Sequence, residues 1–115
     1  MAQMIQRGKK LIQINQKKNS IEYSTNGGRS WSTRYFSNSA GEFLDLLDFG
    51  DEILACTSKG VYVSDNDGRS WKSRYFSNQC GEFYELTING KEILATTSRG
   101  LYYSINGGRS WIRKH

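Results

Sequence analysis

Short apolar runs separated by glycine, asparagine and serine make up most of the chain, and none keeps a helical period over ten or more residues. Phe43 to Phe49 is one such run, ending at Gly50. Glu52 to Thr57 is a second, built from β-branched and apolar residues that suit a half-buried pleated surface. Ser58-Lys59-Gly60 breaks the run, because glycine supplies the positive φ that a tight turn needs. Val61 to Ser64 reads as a third strand, with Val61 and Val63 alternating against Tyr62. Ser64 to Trp71 reads as a hairpin, and Trp71 to Ser77 as a returning fourth strand.

This four-strand pattern recurs with a period of 40 residues. Ser24-Thr25-Asn26-Gly27-Gly28-Arg29-Ser30-Trp31 returns as Ser64-Asp65-Asn66-Asp67-Gly68-Arg69-Ser70-Trp71, and again as Ser104-Ile105-Asn106-Gly107-Gly108-Arg109-Ser110-Trp111. Arg34 to Asn38 and Arg74 to Asn78 are identical, and Gly41-Glu42-Phe43 returns as Gly81-Glu82-Phe83. Gly8 to Ile12 fits the slot of the second strand, with about two extra residues before Ser24. A fixed period of this size means one supersecondary unit used repeatedly. The chain divides into units 1–41, 42–81 and 82–115 of a single domain, the last strand of the third unit being short.

Composition agrees with an all-β reading and removes several others. Twelve Gly without Pro or a Gly-X-Y period exclude collagen. Three Trp, seven Tyr and five Phe are too many for a chain that never packs. No apolar run approaches the roughly 20 residues of a membrane helix, and no membrane insertion is expected. Two cysteines do not make a disulfide framework. Cys56 follows Ile53-Leu54-Ala55 and reads as a small buried thiol, whereas Cys80 reads as a loop residue. With no apolar leader in Met1 to Lys10, a reduced, cytoplasmic setting is expected.

The net charge is +5, unevenly spread. Residues 1–34 carry +6, residues 35–90 carry −5 and residues 91–115 carry +4. The first and third units are thus basic and the middle one acidic.

Physical chemistry accounts for the spacing Ser-x-Asn-x-Gly-x-x-Trp. Asn at the third position can bond backbone two residues on and fix a turn. Gly at the fifth allows a left-handed residue. Trp at the eighth begins the returning strand and buries a large ring. This box, three times in register within its strand frame, resembles the Asp-box, or bacterial neuraminidase repeat, of sialidases, sortilin-type receptors and a photosystem II assembly factor. The resemblance implies β-propeller blades, with the box in the hairpin between the third and fourth strands, remote from the ligand. It assigns a structural role to Ser24, Asn26, Gly28 and Trp31, to Ser64, Asn66, Gly68 and Trp71, and to Ser104, Asn106, Gly108 and Trp111. All three boxes carry Asn where the family usually has Asp, which keeps the acceptor oxygen.

Three blades do not close a ring, since propellers have four or more. A half-propeller completed to six blades by a homodimer is expected, its seam bringing Leu11, Ile12 and Ile14 of one copy near Ile93, Leu94 and Leu101 of the other. The alternative is a β-trefoil, which also has three four-stranded repeats and closes as a monomer. No catalytic constellation, metal-ligand spacing or cofactor motif is visible; the arginines fall at repeated positions, and the one histidine is His115. The reading is therefore a non-enzymatic binding or assembly module. A small multivalent lectin and a polyanion or nucleic-acid binder are the alternatives. Propellers bind ligands on the face of their second-to-third-strand loops and blade connectors. Lys59, Arg99, Asn38, Asn78, Tyr35 and Tyr75 are the candidate binding residues there, for a protein or glycan partner.

Overall fold

Twelve strands form three antiparallel sheets in the computed structural model, which describes residues 3–36, 38–76 and 79–114. β1 (Met4–Arg7), β2 (Lys10–Asn15), β3 (Ser20–Ser24) and β4 (Ser32–Phe36) make the first. β5 (Phe43–Phe49), β6 (Glu52–Thr57), β7 (Gly60–Ser64) and β8 (Lys72–Tyr75) make the second, and β9 (Phe83–Asn89), β10 (Glu92–Thr97), β11 (Gly100–Ser104) and β12 (Ile112–Arg113) the third. Each sheet keeps its strands in chain order, and among the described residues no strand pairs with a strand of another repeat. These are three β-propeller blades. The trefoil alternative fails here, because the repeats meet face to face rather than sharing a hydrogen-bonded barrel.

Two-residue hairpins join the first and second strands of each blade, with Gly8, Gly50 and Gly90 at φ 62–69°. That left-handed conformation matches the twist of the flanking strands. The fourth strands are shorter than the sequence pattern suggests. In the second blade β8 covers Lys72–Tyr75, and Trp71 stays in the turn. Its indole Nε1 donates to Gly68 O at 3.1 Å, which holds the ring back from the ladder.

Pleat alternation sends neighbouring residues of one strand to different seams. Ile53 and Ala55 join Ile12, Ile14 and Ile21 of the first blade in one apolar cluster. Leu54 and Cys56 join Ile93, Ala95 and Phe83 of the third blade in the other. The expected closing seam is corrected accordingly. Ile12, Ile14 and Ile93 are already buried inside the chain, and among the residues named for that seam only Leu11, Leu94 and Leu101 remain half-exposed. Cys80 is likewise buried in the second cluster, in the slot that Ala40 fills in the first, although its backbone lies in a connector. Both cysteines are free thiols. Burial, then the nearby Asp45 carboxylate, pushes the Cys56 thiol well above its ordinary range.

The two outer faces are more polar than the seams. Gln13, Asn15 and Glu22 stand where the second blade has Ala55, Thr57 and Tyr62. Gln13 Nε2 and Asn15 Nδ2 both donate to the Glu22 carboxylate, at 3.0 and 3.1 Å. On the far face of the third blade, Thr87 and Thr96 replace Leu47 and Cys56.

Each seam is also fastened by charge, in a different way. Asp67 occupies a box position where the other blades have Gly27 and Gly107, and it holds φ at 61°. Its carboxylate accepts from Arg7 Nε at 3.2 Å and Lys10 Nζ at 3.4 Å of the first blade, and its carbonyl from Arg34 at 3.2 Å. At the second seam Arg74, held by Glu52 of its own blade through two bonds of 2.8 Å, donates across to Gly107 O at 3.1 Å, as Arg34 does to Asp67 O at the first. The acidic middle blade thus receives cations of the basic first blade.

Two outcomes follow from this packing. Trp71 and Trp111 are 9% and 8% exposed and stack edge-on against Phe43 and Phe83, whereas Trp31 lies half-buried on an outer face. Trp71→Ala or Trp111→Ala should cost about 3–5 kcal/mol in urea unfolding, and Trp31→Ala clearly less. Iodide should quench Trp31 before the other two. For Asp67, burial opposes ionisation, but Arg7 and Lys10 outweigh it and hold the carboxyl below the usual range. A carboxyl depressed in the fold contributes stability that is full above its unfolded pKa and fades as pH falls through the folded one. Asp67→Asn should therefore cost about 0.5–1 kcal/mol at neutral pH, as partly exposed pairs do, and converge on the parent as the pH falls below the ordinary aspartate range.

Candidate functional site

Antiparallel chain order puts the boxes and the first-to-second-strand turns at one end of every blade. The second-to-third-strand loops and the blade connectors lie at the other end.

At the box end the geometry is nearly the same three times. Ser24 Oγ donates to Asn26 Oδ1 at 2.9 Å and accepts from Gly28 N at 2.9 Å. Asn26 Oδ1 also accepts from Ser30 N at 3.0 Å, and Asn26 Nδ2 donates to Ser30 Oγ at 2.8 Å. Ser64 with Asn66 and Gly68, and Ser104 with Asn106 and Gly108, repeat these bonds within 0.1 Å. The serine hydroxyl and the asparagine carboxamide of each turn are thus used within it. The glycine at the fifth position then lies on the preceding blade: a Cβ on Gly68 would sit 3.3 Å from Ile21 Cγ2, and one on Gly108 would touch Leu54 and Val61. Gly28 faces outward, against Leu11 and Trp31 of its own blade.

The opposite end is built differently. Glu82 N donates to Ser98 Oγ and Ser98 N to Glu82 O, both at 2.9 Å, tying the connector into the third blade to that blade's own loop. Ser58 and Glu42 repeat the arrangement one blade earlier. Gly81, at φ 84°, makes this possible, since a Cβ there would meet Ser98 Oγ at 2.3 Å.

Between the second and third blades this end opens into a cavity of about 360 Å³, lined by residues that include Ser58, Lys59, Gly81, Glu82, Ser98 and Arg99. Lys59 and Arg99, two of the candidate binding residues, are brought together at its rim. Both are exposed and each also steadies a connector, Lys59 Nζ on Ser39 O at 3.2 Å and Arg99 Nη1 on Gln79 O at 3.4 Å. Asn38 is exposed in the preceding connector and outside the cavity lining, its carbonyl accepting from Gly41 N at 3.1 Å. Asn78 lies outside the described residues. Tyr35 and Tyr75 are half-buried at the seams, in edge contact with Phe43 and Phe83, and Tyr75 Oη lies 3.5 Å from Cys80 Sγ. Neither ring lies free on the surface.

One residue on this face escapes a search for charge or repetition. Asn19, at φ 50°, donates from Nδ2 to Gly41 O at 2.9 Å and accepts at Oδ1 from Phe43 N at 2.8 Å. It seals the first seam where the second has its cavity. The signal in the sequence was the pair of extra residues in the first blade's loop.

The fold defines a propeller-blade scaffold with an open cavity over its second seam. No family model matches the chain, and no curated protein matches it. Among solved structures, YCF48 from Cyanidioschyzon merolae superposes at TM-score 0.69 with 21% identity over 90% of this chain. A YCF48 structure bound to D1 peptide gives 0.69 with 19% identity over 94%. The GH74 enzyme of Niastella koreensis gives 0.61 with 18% identity over 93%. This chain spans 35% and 36% of the two YCF48 chains and 17% of the GH74 chain. What they share with it is the propeller-blade fold.

Gly81→Ala tests the construction of the site. The added methyl must displace Ser98 or Arg99, in a conformation that L-residues rarely hold, at a cost of about 1–3 kcal/mol. The Ser98 amide should lose protection from hydrogen exchange while the box amides keep theirs.

Proposed function

We propose that this chain is a non-enzymatic binding module of the Asp-box propeller class, which takes a peptide segment of a partner protein on its loop-and-connector face. The cavity over the second seam carries this reading. Its volume lies in the range of small-ligand sites, and Lys59 and Arg99 flank it with positive charge that favours acidic segments. The peptide-bound YCF48 structure, which shares the fold, adds support. Of the cavity's lining residues Glu82 is the one carboxylate. The boxes, self-satisfied and at the far end, suit a structural role.

Ring closure belongs to the same proposal. Leu11 and Trp31 on one outer face, and Leu94, Leu101 and Tyr103 on the other, are half-buried side chains that a further blade would cover. A second copy brings both faces and makes six blades with two-fold symmetry. That seam would be more polar than the two inside the chain, so its dimer would be the weaker contact.

Labelled ten-residue peptides of graded acidity, read by fluorescence anisotropy, test the face. Acidic members should bind, and Lys59→Glu combined with Arg99→Glu should weaken them at least about tenfold, the range of a lost charge-assisted contact, while the box amides keep their protection from hydrogen exchange. Binding that survives both reversals, or no peptide binding at all, overturns the assignment. Sedimentation equilibrium tests closure: a species of twice 13.2 kDa should grow in with concentration, and a monomer throughout would refute it.

A further inference from the structure

The first seam already contains a model of what the second seam lacks. Asn19 stands immediately before β3, and Lys59 stands in the matching place immediately before β7. The first blade's loop has four residues, 16–19, between β2 and β3, whereas Ser58 and Lys59 alone join β6 to β7. The longer loop lets the Asn19 carboxamide cross to the next blade and bond both Gly41 O and Phe43 N. Gly81 and Phe83 repeat Gly41 and Phe43 one blade later, with the same backbone φ at the glycine (84° against 85°) and the same register, Phe83 opposite Thr97 as Phe43 is opposite Thr57. Lys59 turns its ammonium to Ser39 O instead. Among the described residues no side chain bonds the Phe83 N–H or the Gly81 carbonyl, and both residues line the cavity.

We infer that this cavity is a primary-carboxamide slot, which takes the side chain of an asparagine or glutamine from a bound peptide in the way the first seam takes Asn19. The inference rests on the peptide-binding reading above and says what the peptide must present. The slot offers one acceptor, Gly81 O, beside one donor, Phe83 N–H. A primary carboxamide answers both, with an oxygen and an N–H on the same side of its plane. A carboxylate has two acceptors and no donor, and would set one oxygen against the Gly81 carbonyl. A trans secondary amide, as in a peptide bond or an N-acetyl sugar, holds its N–H and C=O on opposite sides and cannot reach both. Lys59 and Arg99 at the rim would favour acidic residues beside the amide-bearing one.

The test follows backbone amide resonances of the full chain during titration with three small probes. N-acetyl-L-asparagine should move the Phe83 amide proton downfield and saturate in the millimolar range. N-acetyl-L-aspartate, which differs only in the terminal group, should bind at least about tenfold more weakly, the size of a lost hydrogen bond with an unpaired acceptor left behind. N-acetylglucosamine should leave the Phe83 amide in place, and the Phe43 amide should ignore all three probes. Asn19→Gly, which keeps the positive φ, should then make Phe43 respond to N-acetyl-L-asparagine as Phe83 does. Replacing Ser58-Lys59 with the first blade's Gln-Lys-Lys-Asn loop should abolish the Phe83 response. Equal or tighter binding of the aspartate probe, or a response to the sugar, would show that the slot does not read a primary carboxamide. An unmoved Phe83 amide would overturn the inference outright. If acidic peptides bind the face in the anisotropy assay while Phe83 stays unmoved, the slot fails and the binding face stands.

Discussion

The serine hydroxyl that opens each box is the contact on which the rest of the molecule depends. It is buried, donates to the asparagine side chain and accepts backbone N–H bonds, so the turn closes without water. Closing the turn sets a glycine at φ 90° and fixes the indole of the tryptophan through the glycine carbonyl. In the second and third blades the glycine and the ring then form the surface that meets the preceding blade. A propeller blade is too thin to bury its own apolar residues. Its stability comes from the seam, and the box shapes one side of that seam. Asn meets both needs of the turn, because its oxygen accepts the Ser30, Ser70 or Ser110 N–H while its amide group donates to the hydroxyl of the same serine.

The two seams share a plan and differ in their fastenings. The first uses Asp67 to gather Arg7 and Lys10, and at the opposite end the Asn19 side chain bridges to Gly41 and Phe43. The second relies on the Arg74 guanidinium reaching Gly107 O and on Phe49 lying 3.6 Å from the place of a Gly107 Cβ. These differences give the two seams distinct fastenings around a shared guanidinium contact. They also decide where the surface opens. The end of the first seam is filled by the chain itself, and the end of the second is left as a cavity with two cations at its rim.

Much of this was legible in the chain. The 40-residue period, the four strands per unit and the box hairpins follow from local chemistry: glycine where φ is positive, asparagine where a turn needs an acceptor, alternation where a strand has two faces. The face on which Lys59 and Arg99 lie was legible too, because strand order in an antiparallel blade assigns every loop to one end.

Tertiary structure decided what local pattern leaves open. Alternation says that Ile53 and Leu54 point to opposite sides, but only the stacking of blades says which neighbour each one meets. Ile12, Ile14 and Ile93 looked available for a further seam for that reason. Tyr35 and Tyr75 looked like surface aromatics until Phe43 and Phe83 came to lie against their rings. Asn19 carried no signal beyond a loop two residues longer than its copies, since its partners, Gly41 and Phe43, are more than 20 residues away. A side chain's role across a seam depends on atoms brought from a different repeat, and no spacing within one repeat records them.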